Sequence, residues 1–132
     1  MKNKYIFPVN KETISKVERV IDELDSKYDF GKDKYGKICL AVIEAAENCI
    51  IHGNKLDPES YLKLSYEMGD RGELGFVIGD QGSGFDHLEV NDPTTYRMKV
   101  MEKGRGIFIM KILADEIIFN NSGNEVELKF KL

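Results

Sequence analysis

The sequence predicts an α/β domain, on three observations. Two stretches carry apolar residues at helical spacing, Ile14 to Tyr28 and Lys34 to His52. A glycine-bounded pair of apolar runs, Tyr61 to Glu67 and Leu74 to Ile78, carries a hairpin signal. The last seven residues alternate, with Val126, Leu128, Phe130 and Leu132 apolar against Glu127, Lys129 and Lys131, the period of a strand with one buried face.

In chain order, Tyr5-Ile6-Phe7-Pro8-Val9 is short, apolar and proline-containing, which suits an edge strand. Asn10 is placed to cap the first helix, whose Ile14, Val17, Ile21, Leu24 and Tyr28 form one apolar stripe. A loop around Phe30 to Asp33 leads to the second helix, read as Lys34 to His52 and stopped at Gly53-Asn54. The hairpin turn is Gly69-Asp70-Arg71-Gly72, and its second strand runs into Gly79-Asp80-Gln81-Gly82-Ser83-Gly84-Phe85-Asp86. His87 to Lys103 lacks periodicity and reads as a long loop, a lid candidate. Gly104-Arg105-Gly106 opens an apolar helix, Ile107 to Leu113, followed by a strand Glu116 to Phe119, a turn at Asn120 to Asn124, and the final strand.

The 132 residues are one domain's worth of chain, 42% hydrophobic and 32% charged, enough to bury a core. Nineteen Lys and Arg stand against 23 Asp and Glu, a formal net charge of −4. Sequence-independent nucleic-acid binding comes from cations displacing counterions, so no direct nucleic-acid partner is expected. No apolar run approaches the roughly 20 residues that span a bilayer, and the N-terminus leads into no signal-peptide block, so no membrane partner and a cytoplasmic location are expected. Cys39 and Cys49 fall in one helix about 15 Å apart, too far for a disulfide, and read as buried thiols.

Three motifs could carry chemistry. On a helical wheel the second helix gathers Cys39, Val42, Ile43, Ala46, Cys49 and Ile50 on one side, with Glu44, Asn48 and His52 in a stripe nearly opposite. Taken alone, such a stripe also reads as a solvent-facing side. Leu40, Ala41 and Ile51 flank it, however, and a helix apolar almost all round is normally buried, where polar side chains need partners. A carboxylate and a carboxamide oxygen one turn apart offer a general base and a hard oxygen ligand of the kind Mg²⁺ takes. Second, Asp80 ends an apolar strand before Gly82 and Gly84, where a carboxylate can accept from an exocyclic amine and bare backbone leaves room for a flat base; an ordinary glycine turn gives the same string. Third, Gly104-Arg105-Gly106 before a helix has the design of an anion site or of a flexible helix start. Arg97, Lys99, Lys103 and Arg105 concentrate positive charge beside it.

In order, Glu44-x-x-x-Asn48-x-x-x-His52-Gly53, Asp80-x-Gly82-x-Gly84 and Gly104-x-Gly106 resemble the N, G1 and G2 boxes of the GHKL ATPases, and among these the small bacterial anti-sigma factor serine/threonine kinases. The resemblance covers nearly the whole chain, which is expected to be a single histidine-kinase-like ATPase domain, 1–132. It implies a two-layer α/β (α+β) sandwich of Bergerat type, a mixed, mostly antiparallel sheet covered on one face by helices. It implies ATP and Mg²⁺, with Glu44 as catalytic base and Asn48 as metal ligand. Nucleotide contacts are implied for Asn48, His52, Asp80, Gly82, Gly84, Phe85, Lys103, Gly104, Arg105, Gly106 and Ile107. Many relatives carry threonine after glycine where this chain has Asn124, which is assigned no nucleotide contact. The implied function is phosphorylation of an antagonist protein on Ser/Thr and sequestration of a sigma factor by a homodimer. The alternative is a non-catalytic, ATP-gated protein-binding module acting on a non-sigma partner.

Overall fold

The computed structural model describes residues 2–50, 60–80, 106–120 and 125–132. The elements run β1 (Lys2–Pro8), α1 (Thr13–Tyr28), α2 (Lys32–Asn48), β2 (Tyr61–Met68), β3 (Glu73–Asp80), α3 (106–113), β4 (Glu116–Phe119) and β5 (Glu125–Lys131). The sheet order is β1-β2-β3-β5-β4, and every described pairing is antiparallel, in keeping with the expected mostly antiparallel sheet. β1 is an edge strand, as its proline suggests, and begins three residues before the predicted run.

The helix-covered face of the sheet takes alternate residues of three strands: Leu62, Leu64 and Tyr66 of β2, Leu74, Phe76 and Ile78 of β3, Val126, Leu128 and Phe130 of β5. Each fully buried side chain of this size contributes about 1.5–3 kcal/mol relative to exposure. Phe76 and Phe130 meet edge to face, centroids 6.1 Å apart. The other face carries Lys63, Ser65, Glu67, Val77, Glu127 and Lys129, and there Lys129 lies 3.7 Å from Glu116 and 3.8 Å from Glu127. Leu132 was expected on the core face but is 45% exposed: its N–H still reaches Gly72 O in the register of β3 and β5, at the open end of the sheet.

α1 buries Val17, Val20, Ile21 and Leu24, as its periodicity predicts. Asn10 is not its N-cap. Its Oδ1 accepts from the Glu12 N–H at 2.8 Å, closing a turn over residues 11–12 that delays the helix to Thr13. Buried Thr13 completes the entry: its Oγ1 accepts from Asn10 N and donates to Pro8 O, 2.8 and 2.9 Å. Asp29 and Gly31 take positive φ, 52° and 84°, and reverse the chain into α2. Across that corner the Tyr35 hydroxyl donates to Asp22, joining the helices.

α2 starts two residues earlier than predicted, and its α-helical part ends at Asn48, with a π-type turn at 49–50. Its buried face also differs. The wheel favours Cys39, Ile43 and Ile50, whereas the structure buries Ile38, Ala41, Val42, Ala45, Ala46 and Cys49 and leaves Cys39, Ile43 and Ile50 half-buried. Ala41 and Ala45, which the wheel does not place on the apolar side, account for the rotation. They carry little weight on a hydrophobicity wheel, yet their small side chains let the helix approach β3 and β5 closely. Cys39 and Cys49 are both free thiols. Among the described residues no helix is long and apolar enough to cross a membrane.

Candidate functional site

The corrected orientation of α2 changes the reading of its polar stripe. At about 100° per residue, Glu44 and Asn48 lie on the flank of the buried arc and not opposite it. Both are half-buried. A polar side chain at the margin of a core is partly desolvated and can still be reached from outside, which suits a working group better than either extreme.

α3 closes on this flank. Gly106, its first described residue, is buried, and a methyl group built on it would lie 2.9 Å from Asn48 Nδ2, 3.2 Å from Asn48 Oδ1 and 3.3 Å from Glu44 Oε2. Two motifs more than fifty residues apart in the sequence thus meet at one point. Met110 and half-buried Ile107 hold α3 against the core, while Phe108 and Ile112 face solvent.

Asp80 is the last residue of β3, in register with Leu62 and in phase with Phe76 and Ile78, so its carboxylate lies on the face that α2 covers. It is only 5% exposed, and a carboxylate so placed must be answered by hydrogen-bond donors. Of the residues singled out in the sequence, Glu44, Asn48, Asp80, Gly106 and Ile107 lie among the described residues. His52, Gly82, Gly84, Phe85, Lys103, Gly104 and Arg105 lie outside the described residues, as do the lid candidate, its cations and Asn124.

Glu47 is a residue that the sequence reading passed over. It follows Glu44 by three positions, one helical turn, and is half-buried. Burial pushes its carboxyl above the usual range, and the nearby charge of Glu44 adds to the effect. The E-x-x-E spacing was the available signal.

The donor set fits a hard cation. Asn48 Oδ1 and the Glu44 carboxylate are oxygens brought together at the Gly106 α-carbon, a small oxygen set of the kind Mg²⁺ takes. Buried Asp80 supplies an acceptor-only group at the far end of the central strand.

Comparison with known proteins places the chain among relatives. Residues 7–130 match the family model of the histidine kinase-like ATPase domain. The chain is 29% identical over 128 residues to the anti-sigma F factor of Geobacillus stearothermophilus, covering 93% of this chain and 87% of that one. It is 32% identical over 102 residues to the anti-sigma F factor of Geobacillus sp. (strain WCH70), covering 74% and 69%. Among solved structures, the histidine kinase domain from the Erythrobacter litoralis EL346 blue-light activated histidine kinase superposes with a TM-score of 0.53 at 15% identity, a likeness of fold. It covers 90% of this chain, which spans 59% of that one.

Proposed function

The chain belongs to the histidine kinase-like ATPase domain family, and from that premise we propose that it is an ATP-binding anti-sigma regulatory factor that phosphorylates an antagonist protein on serine or threonine. The observation that carries the reading is the convergence of Glu44 and Asn48 on Gly106 at the start of α3. That meeting point supplies what phosphoryl transfer asks of a protein, namely charge neutralisation, a positioned base and close backbone approach.

Asp80 would accept hydrogen bonds from the exocyclic amine of adenine, anchoring the base at the end of β3. Asn48 Oδ1 would hold Mg²⁺, which when bound neutralises phosphate charge. Glu44 would take the proton of the acceptor hydroxyl as its oxygen attacks the γ-phosphorus and the bond to the ADP oxygen breaks. His52, Gly82, Gly84, Phe85 and Lys103 to Arg105 enter this proposal through their motifs alone. We read the chain as a single such domain.

The names of the relatives support a sigma factor as the sequestered partner, with the antagonist as the phosphorylated one. β1 sits at the sheet edge with Ile6 55% exposed, a surface on which we place a homodimer contact. The free thiols fit a reducing compartment, and we place the activity in the cytoplasm.

The test is incubation of the protein with Mg²⁺, γ-labelled ATP and candidate antagonist proteins from the same genome, with sigma-factor co-elution measured in parallel. Label on a serine or threonine of one candidate, absent with Glu44→Ala, is the expected result. ATP binding with neither transfer to any candidate nor sigma-factor co-elution would favour the non-catalytic ATP-gated module acting on a non-sigma partner.

A further inference from the structure

Gly106 lies inside a helix, and its φ is outside the left-handed region that glycine is usually needed for. In such a conformation alanine is the better helix former. Backbone freedom is therefore not what this position uses, and the missing side chain is. A Cβ there would stand 2.9 Å from Asn48 Nδ2, a separation that side-chain carbons essentially never show, and within 3.3 Å of Glu44 Oε2. The atoms it would meet are the far ends of two flexible side chains on α2, so a methyl would displace those ends and leave both helix backbones where they are.

Resting on the ATP reading of this site, we infer that Gly106 is a positioning residue: its bare α-carbon is the surface against which the Asn48 carboxamide and the Glu44 carboxylate are seated. Free in solution, an asparagine or glutamate side chain samples several staggered rotamers, and contact with α3 selects among them. One glycine thereby fixes both the metal-ligating oxygen and the proton acceptor. The role is separate from letting phosphate approach the helix start, because it acts through side chains of α2 and exists without any ligand. It also couples the two motifs, since a shift of the α3 start must release both side chains together.

The test is Gly106→Ala in the full chain, measured in three ways. In the ligand-free protein, the Asn48 side-chain amide resonance is expected to move while the sheet amides stay, with the melting temperature changed by no more than about 2 °C, a small fraction of what a core defect gives. ATP affinity in the presence of Mg²⁺ is expected to fall about tenfold or more, as for other misplacements of order 1 Å, and to change little in EDTA. In an Asn48→Ala background the same methyl should add nearly nothing, the non-additivity of two changes acting on one contact. An unmoved Asn48 resonance overturns the inference. So does an ATP loss that is equal with and without Mg²⁺ and adds to that of Asn48→Ala, which would assign the glycine to phosphate itself. If the wild-type chain binds no ATP, the proposed function falls, and the ligand-free resonance still decides the positioning role.

Discussion

The entry to α1 and the first described turn of α3 have different side chains beside them. At α1 the polar partners come from the adjoining chain: Asn10 serves Glu12 N, and Thr13 ties Asn10 N to Pro8 O. At α3 the polar groups beside Gly106 come from another helix, and one of them is a carboxylate. A terminus closed by its own neighbours is finished as structure. Side chains brought to a bare α-carbon from another helix have no such local structural task, and on the proposed function they are the base and the metal ligand.

Four changes would break or sharpen that contrast. The largest effect belongs to Glu44→Ala, which should lower phosphoryl transfer on the order of 10²–10⁴-fold, as loss of a positioned base does. Its melting temperature should stay near wild type, because Glu44 is half-buried at the core margin; a large fall in stability would make the residue structural. Next is Asp80→Asn, which keeps the shape but loses the charge. It should weaken ATP binding by about 1.5–3 kcal/mol, the range for a hydrogen bond to a charged group, as read by calorimetry.

Thr13→Ala should do the converse. Removing a buried hydroxyl with two partners should cost about 1–2 kcal/mol in denaturant unfolding, with ATP affinity unchanged. A loss of affinity equal to that of Asp80→Asn would erase the distinction between the two helix starts.

The smallest change is Glu47→Gln. Glu47 has a raised folded-state pKa, so the folded chain holds this proton more tightly than the unfolded one. Its contribution to stability is therefore greatest below the ordinary carboxylate range, near 4.5, and is lost as pH rises through the elevated folded value. The substitution should stabilise the protein by a few tenths of a kcal/mol at neutral pH, and the gain should vanish in acid; a gain independent of pH would point to packing instead.

Much of this arrangement was legible in the chain. The alternation of Val126, Leu128 and Phe130, the glycine-bounded hairpin and the stripe of α1 are local periodicities, and local periodicity survives into structure. Glu44, Asn48 and Asp80 stood out as candidates by residue type and spacing, and the roles proposed for them come from the family resemblance. The orientation of α2 was not, since the burial of Ala41 and Ala45 is selected by how closely a helix can approach the sheet, a tertiary quantity. Nor was the meeting of Gly106 with Asn48, which depends on a long-range contact that no single window contains. Asn10 misled for a related reason. Its residue type names a cap, but whether it caps the helix or the preceding turn depends on Thr13 and Pro8.

The central claim is that α2, the end of β3 and the start of α3 together form an ATP site whose base is separable from its binding groups. Calorimetric titration of MgATP into wild type, Glu44→Ala and Asp80→Asn tests it most directly. The account predicts one site per chain, near-equal affinity for wild type and Glu44→Ala, and a clear loss for Asp80→Asn. No binding by the wild-type chain, or equal loss in the two variants, would contradict it.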